Sequence, residues 1–599
     1  MGLPWYRPTR ICHVVSGGDF GWRSGSGNSP SYYEDNLPPV LDIGPGSPTG
    51  VAFGTGAKFP AKYQRAMYAL DWTYGRILAI HLRPDGASYK AESEDFVSGA
   101  PLPVTDAVIG PDGAMYFTVG GRGTHSALMR VTYTGGESTA AAAPAALPKE
   151  ALTRRELEAF HGVVNPKAVD AAWPHLASAD RFLRNAARVA IESQPVATWE
   201  EKVFAEKDAQ ACITAAVALA RSGTPAYRER LLKHLLALDF KSLPTMQKLG
   251  VLRAISLTFD RLGKPTEPER AEVAAALDPF LPGDDAAVNS DLLRLLVYLN
   301  APSAVPKGMQ LIANTTDAAP QNFDTLKEAN ARYSANLLRM SKNPPPTQRI
   351  RYAHTLRTAS KGWTVESRRQ YFAFLNEAGQ GSGGASYPGF LANIRDEALA
   401  LCTDAQRVAL KDLTGADFNP VPDFPITPPK GPGREWTLLE SVAATDKRTL
   451  KKADWQNGRS LFHAVGCGAC HRFNGLGGGV GPDLTSVPNK FDTAYLLESI
   501  IEPSKVISDQ YGSSVVTLND GRVLSGLVVP EAETSVKAYE ADPKAEGQSV
   551  ARADVKSITA SPISQMPPGL INSLSAAELK DLMGYIMSGG KQPGAPKKK

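Results

Sequence analysis

"VGCGACHRFNGLGGGVGPDLT", residues Val465 to Thr485, holds two of the chain's five cysteines three positions apart, with a histidine directly after the second. Cys467 and Cys470 can each add across a vinyl group of a porphyrin and form a thioether. His471 can then turn its imidazole to the iron. Cys-x-x-Cys-His at this spacing is the attachment signal of c-type haem. Five cysteines and nine histidines in 599 residues predict only roughly 0.0006 chance occurrences. Two other chemistries use paired cysteines. A zinc site would want a second ligand pair, and the sequence offers no other Cys-x-x-Cys and no close histidine pair. A redox dithiol belongs at a strand-to-helix junction and has no use for the histidine.

The flanks suit haem. "ADWQNGRSLFHAVGCGACH" reads as one amphipathic helix running into the attachment turn. "GLGGGVGPDLT" then offers backbone with few bulky side chains, which lets the chain lie close to a flat ring. Pro482 can present its carbonyl to Nδ1 of His471 and fix the imidazole as a ligand. For the sixth iron ligand the first candidate is Met566, in the proline-stiffened loop "SPISQMPPGL". His463 or an open position are the alternatives. Met583 and Met587 are four apart and share a helix face, so they read as pocket lining. Leu484, Leu496, Leu497, Ile500 and Leu582 would exclude water. His/Met ligation would raise the reduction potential relative to bis-His.

The start helix, the Cys-x-x-Cys-His, "GPDLT" and the late methionine make residues 453 to 590 resemble a class I cytochrome c. There is one departure. "SSVVTLNDGRVLSGLVV" carries a hairpin turn at Asn519-Asp520-Gly521 between alternating strands, so a small β insert is expected at about 511–560. With that insert the region is similar to the haem-binding domain of large multidomain proteins of planctomycetes and verrucomicrobia. In that family a propeller and HEAT-like repeats precede the cytochrome.

Upstream, three further zones are legible. Residues 1–135 are rich in Gly, Pro, Tyr and Trp. "TGVAFG", "RAMYALDW", "GRILAIHLR", "DAVIGPDGAMYFTV" and "ALMRVTYTG" read as strands between turn signals. About two blades of a β-propeller fit there. "PWYRPTRICHVVSGGDFGWRSG" and "GPDGAMYFTVGGRG" resemble the end of a glucose/sorbosone dehydrogenase propeller. That resemblance implies a quinone cofactor and a calcium ion in a full-length propeller, with His13, Asp19 and Arg122 as the nearest pocket residues. Structural roles in the blades are the simpler reading for all three. Residues 148–415 repeat amphipathic helices, from "SADRFLRNAARVAIES" to "ANARYSANLLRM", and read as a HEAT-like α-solenoid. "STAAAAPAALP" reads as the linker into it. The proline-rich residues 416–436 should be extended and helix-free, followed by the cytochrome domain at 437–590.

The fold class is therefore multidomain: a β-propeller fragment, an α-solenoid, then a mainly α cytochrome c domain with a β insert. Sixty-five basic against 61 acidic residues, a net charge of +4, argue against a nucleic-acid binder. No apolar run is long enough to span a bilayer. Cys212 and Cys402 read as helix-borne core residues and Cys12 as a buried strand residue. The function expected is single-electron transfer, with a redox partner protein or the quinone pool exchanging electrons. A fused sugar or alcohol dehydrogenase with an incomplete propeller, and a haem-bearing scaffold with a protein partner on the solenoid, are the alternatives. Haem c is attached outside the cytoplasmic membrane, so the chain is expected to be periplasmic or otherwise exported. The N-terminus carries no export signal, so Met1 is expected to be internal to a longer protein.

Overall fold

The computed structural model describes residues 9–589, apart from 24–26, 45, 100–101, 122–123, 318–340, 384–386, 416–417, 419–423, 474–475, 479–480, 486, 490, 508–510, 533–534 and 540–547. The expected helix at 329–340 and Arg122 lie outside the described residues.

Alternating apolar residues and turn glycines build the N-terminal sheets. Strands Pro48–Phe53, Met67–Asp71, Arg76–Asp85 and Ser88–Ser98 pair in chain order into a four-stranded antiparallel sheet. Val104–Ile109, Met115–Gly121 and Thr124–Val131 form a three-stranded one. Tyr68, Leu70, Ile77 and Ala79 of the first share a core with Val104, Met115 and Phe117 of the second. Strand Ser88–Ser98 escapes sequence reading because it is polar. It lies at the sheet edge, where Glu94 pairs with His81 at 2.9 Å and Lys62 at 2.8 Å. Cys12 is half-buried and follows the short strand Arg10–Ile11 rather than lying in it.

The expected linker is bonded down. Gln64 donates its amide to the carbonyls of Thr139 (3.3 Å) and Ala140 (2.9 Å) and accepts from Ala142 N–H at 2.9 Å.

Helices follow, several begun by a side-chain cap: Asp180, Asp208, Thr266 and Asp285 each accept from first-turn N–H groups. Arg181–Glu192, Ala209–Ser222, Thr245–Arg261, Ala286–Tyr298 and Thr347–Leu356 form a row in which each packs on the next. Further helices, among them Arg228–Leu236 and Glu267–Leu277, lie beside the row. Small residues let the row close up. A side chain at Gly250 would put Cβ 2.7 Å from Ile213. Cys212 is buried in its helix. Cys402 is buried too, but in the turn after helix Tyr387–Ala400.

The C-terminal unit has its own core. Helices Trp455–Ala464 and Ala576–Met587 cross at Gly458, where a Cβ would stand 2.1 Å from Asp581 O. Asp581 takes Asp454 N–H at 2.8 Å and the Asn457 amide at 2.9 Å, so the start of one helix is bonded to the other. The proline-rich segment is free of helix over its described residues, and from Phe424 it lies on this unit. Thr427 N–H bonds Ser460 Oγ at 2.7 Å, Lys430 N–H bonds Glu578 at 2.6 Å, and the indole of buried Trp436 bonds Leu574 O at 3.1 Å.

Five antiparallel strands, Ser514–Leu518, Val523–Ala532, Ser535–Tyr539, Gln548–Ala551 and Val555–Ala560, make the insert. Val516, Leu518, Val536 and Val550 form its separate core. Its first and last strands are neighbours, Ser514 opposite Ala560, and Ser561 N–H bonds Ser513 O at 2.8 Å. Entry and exit thus meet at one neck. Replacing residues 514–560 with a short Gly-Ser turn should leave the rest of this unit folded. The thermal transition of this unit, followed by amide exchange in helix Trp455–Ala464, is expected to move by less than about 5 °C. Loss of the transition would show that the insert is part of the main core.

Candidate haem-attachment site

Asp454 caps helix Trp455–Ala464 by accepting from Gln456 and Asn457 N–H. The helix does not run on through the cysteines, as its periodicity predicts. Gly466, at φ +87°, reverses the chain, and Cys467–Cys470 form a separate single turn. A left-handed residue ends a helix, and glycine adopts that conformation without strain.

Cys467 is 8% exposed and belongs to the core, and Cys470 is half-buried. Burial pushes the Cys467 thiol up to about 12. That makes it a poor thiolate for disulfide exchange. Among the described residues no group of three or more His, Cys, Asp or Glu side chains is placed to hold a metal ion.

His471 N–H bonds Cys467 O at 2.9 Å. Its Nδ1 lies 2.9 Å from Pro482 O. A carbonyl can only accept, so Nδ1 carries the hydrogen and Nε2 keeps its lone pair. Burial lowers the pKa of the ring, and the bond to Pro482 opposes it; the net shift is downward. The imidazole is thus oriented and kept neutral, the form that ligates iron.

The glycines after His471 have a neighbour that sequence reading did not assign. Gly478 N–H bonds Gly468 O and Gly481 N–H bonds Cys470 O, both at 2.9 Å. A Cβ at Gly478 would stand 2.0 Å from Ala469 O, and one at Gly481 would stand 2.7 Å from the His471 ring. The loop therefore lies against the Cys-x-x-Cys-His turn itself, and its smallness is needed there.

His463 is a wall of the same turn. Its half-buried ring meets Phe424 and Phe462 edge-on, and a Cβ at Gly468 would stand 2.4 Å from its Nδ1. Burial lowers its pKa, with Arg459 adding to the effect. Leu496, Leu497, Leu582 and Met583 are buried in one cluster with Cys467, and Leu484, Ile500 and Met587 pack on its margin. Met566 is half-buried in a loop without regular structure. Its N–H bonds Ser564 Oγ at 3.1 Å, and Ser564 N–H bonds Ser504 Oγ at 3.0 Å, just beyond helix Thr493–Ile501.

Sequence reading missed the aromatic bracket of the turn. Phe462, Phe473 and Tyr585 pack together, with Phe473 and Tyr585 4.8 Å apart between centroids. Phe473 lies two residues past His471, and that adjacency was the available signal. In the N-terminal region His13 bonds Ser88 Oγ at 3.1 Å and stacks on Phe182, while Asp19 accepts from Gly21 N–H at 2.8 Å.

Residues 455–590 match the family model described as Cytochrome c. The match supports a cytochrome c domain here, with covalent haem c, its iron and a haem-based electron-transfer role. No curated protein matches the chain. Among the described residues no helix is long and apolar enough to cross a membrane.

Proposed function

We propose that this chain is a multidomain c-type cytochrome that exchanges single electrons with a redox partner protein or the quinone pool, and that it accepts them from a dehydrogenase. The observation that carries the reading is the oriented imidazole: His471 Nδ1 bonded to Pro482 O, one residue beyond two thiols that have no disulfide. Cys467 and Cys470 would hold the porphyrin through thioethers, and His471 Nε2 would ligate its iron. Met566 would supply a second iron ligand. Bound haem supplies a one-electron couple at its iron. The residues of the chain do the rest. Pro482 holds the imidazole proton at Nδ1. Leu497, Leu582 and Met583 keep water from the attachment side of the core.

The flanking regions support a larger assembly. Two consecutive antiparallel meanders suit propeller blades, and a row of helices with further helices beside it suits a HEAT-like solenoid. Because haem c is attached outside the cytoplasmic membrane, the reading places the protein in the periplasm or beyond.

The test is to produce the chain in a host with attachment machinery. Denatured protein should keep a porphyrin mass on the peptide containing Cys467 and Cys470, and the bound iron should titrate as one electron. Protein without that mass overturns the reading. In Met566→Ala the reduction potential should fall and added imidazole should bind the ferric form. An unchanged potential and no imidazole binding would remove Met566 from the iron.

A further inference from the structure

The turn-forming segment Pro30 to Leu37, Pro-Ser-Tyr-Tyr-Glu-Asp-Asn-Leu, lies in neither a strand nor a helix, yet much of it is buried. Successive helices of the row each offer it an arginine. Arg184 grips Glu34, Nε to Oε1 at 2.5 Å and Nη2 to Oε2 at 3.3 Å. Arg253 grips Asp35 through two bonds of 2.8 Å. Arg221 adds a contact to Asp35 at 3.3 Å. The Tyr33 ring lies under the guanidinium groups of Arg253 (4.4 Å) and Arg294 (5.7 Å). Arg181 caps the backbone, donating to the carbonyls of Ser31, Tyr33 and Asn36 at 2.7 Å each.

Glu34 is 9% exposed and Asp35 is 2% exposed. Carboxylates this buried persist only when paired and hydrogen-bonded. Here Glu34 is held by an arginine of helix Arg181–Glu192, and Asp35 by arginines of helices Ala209–Ser222 and Thr245–Arg261, so the pattern reads a sequence: an aromatic residue followed by two acids. Planar guanidinium groups suit both halves of that pattern, as bidentate partners of carboxylates and as cations over a ring. The helical row itself stands on its own apolar core, to which the segment adds Leu37.

We propose that the arginine-lined face of the helical row is a binding groove for a short acidic peptide with a leading tyrosine, and that Tyr32–Tyr33–Glu34–Asp35 is its built-in occupant. The segment acts as a latch that seats the N-terminal sheets on the helices. A peptide of the same chemistry competes for the groove once the latch is out. The inference does not depend on haem.

The test uses the full chain. Glu34→Lys with Asp35→Lys reverses both charges and should eject the segment. A fluorescent peptide of residues 29–38 should then bind saturably, and at least about tenfold more weakly to the wild type, whose own segment competes. Adding Arg253→Glu should weaken binding at least about thirtyfold. Equal binding to all three, or none to the ejected variant with native helix content, overturns the proposal. A second measurement needs no ejected state. Amide exchange over residues 31–37 should rise at least about tenfold in Arg253→Ala. It should return toward wild type in the swap Asp35→Arg with Arg253→Asp. Unchanged exchange in Arg253→Ala also overturns it.

Discussion

Replacing Cys467 and Cys470 together with serine is expected to yield a chain with no covalently held porphyrin. A hydroxyl has neither the softness nor the nucleophilicity to form the thioether, so the effect is all or none in the mass of the denatured polypeptide. Each single replacement leaves one thioether and should lower the yield of holoprotein without abolishing it. The double variant must also remain folded for the result to count. Cys467 is in the core, so a serine there buries a hydroxyl at a cost of about 1–3 kcal/mol. The helical row has a separate core and should keep its thermal transition. Porphyrin mass retained by the double variant would place the attachment elsewhere and sink the proposed site.

The candidate site was legible because its chemistry is local. Cys-x-x-Cys-His needs only five consecutive residues, and spacing alone selects the chemistry. The β insert was legible for a similar reason, since Asn519-Asp520-Gly521 is a turn that few other conformations use; Gly521 has φ +88°. The long row helices were legible from their period. What stayed hidden depends on distant partners. Strand Ser88–Ser98 carries too many acids to read as a strand, and the neighbouring strand Arg76–Asp85 makes it one. The break at Gly466 looked helical because the apolar period continues through it. The docking of residues 424–436 depends on Glu578, which is more than 140 positions from Lys430. The arginine row is invisible in sequence, since each arginine sits alone on its own amphipathic helix.

Phe462→Ala is expected to destabilise the C-terminal unit by about 3–5 kcal/mol, the usual loss for a fully buried aromatic ring. Phe462 has no exposed surface. It stands 5.3 Å from Phe473 and 6.0 Å from Tyr585 between ring centroids. Its removal takes away one ring of the bracket that joins the start helix, through Phe462, to Tyr585 of the last helix and to Phe473 beyond the attachment turn. The surrounding helices cannot collapse into the gap, because their crossing at Gly458 is already closed to 2.1 Å for a Cβ. The loss should therefore be at the upper end of the range. It should also be confined to one unit. In denaturant titrations the transition followed at the haem absorbance should move to lower concentration, and the helical circular dichroism of the row should not. The same substitution should loosen the His471–Pro482 pairing, since Phe473 holds the backbone between them. The expected sign is a higher reduction potential, since a weaker bond at Nδ1–H leaves the imidazole a weaker donor to ferric iron. A loss below about 1 kcal/mol, or a shift shared equally by both transitions, would mean that the aromatic bracket does not organise the attachment turn.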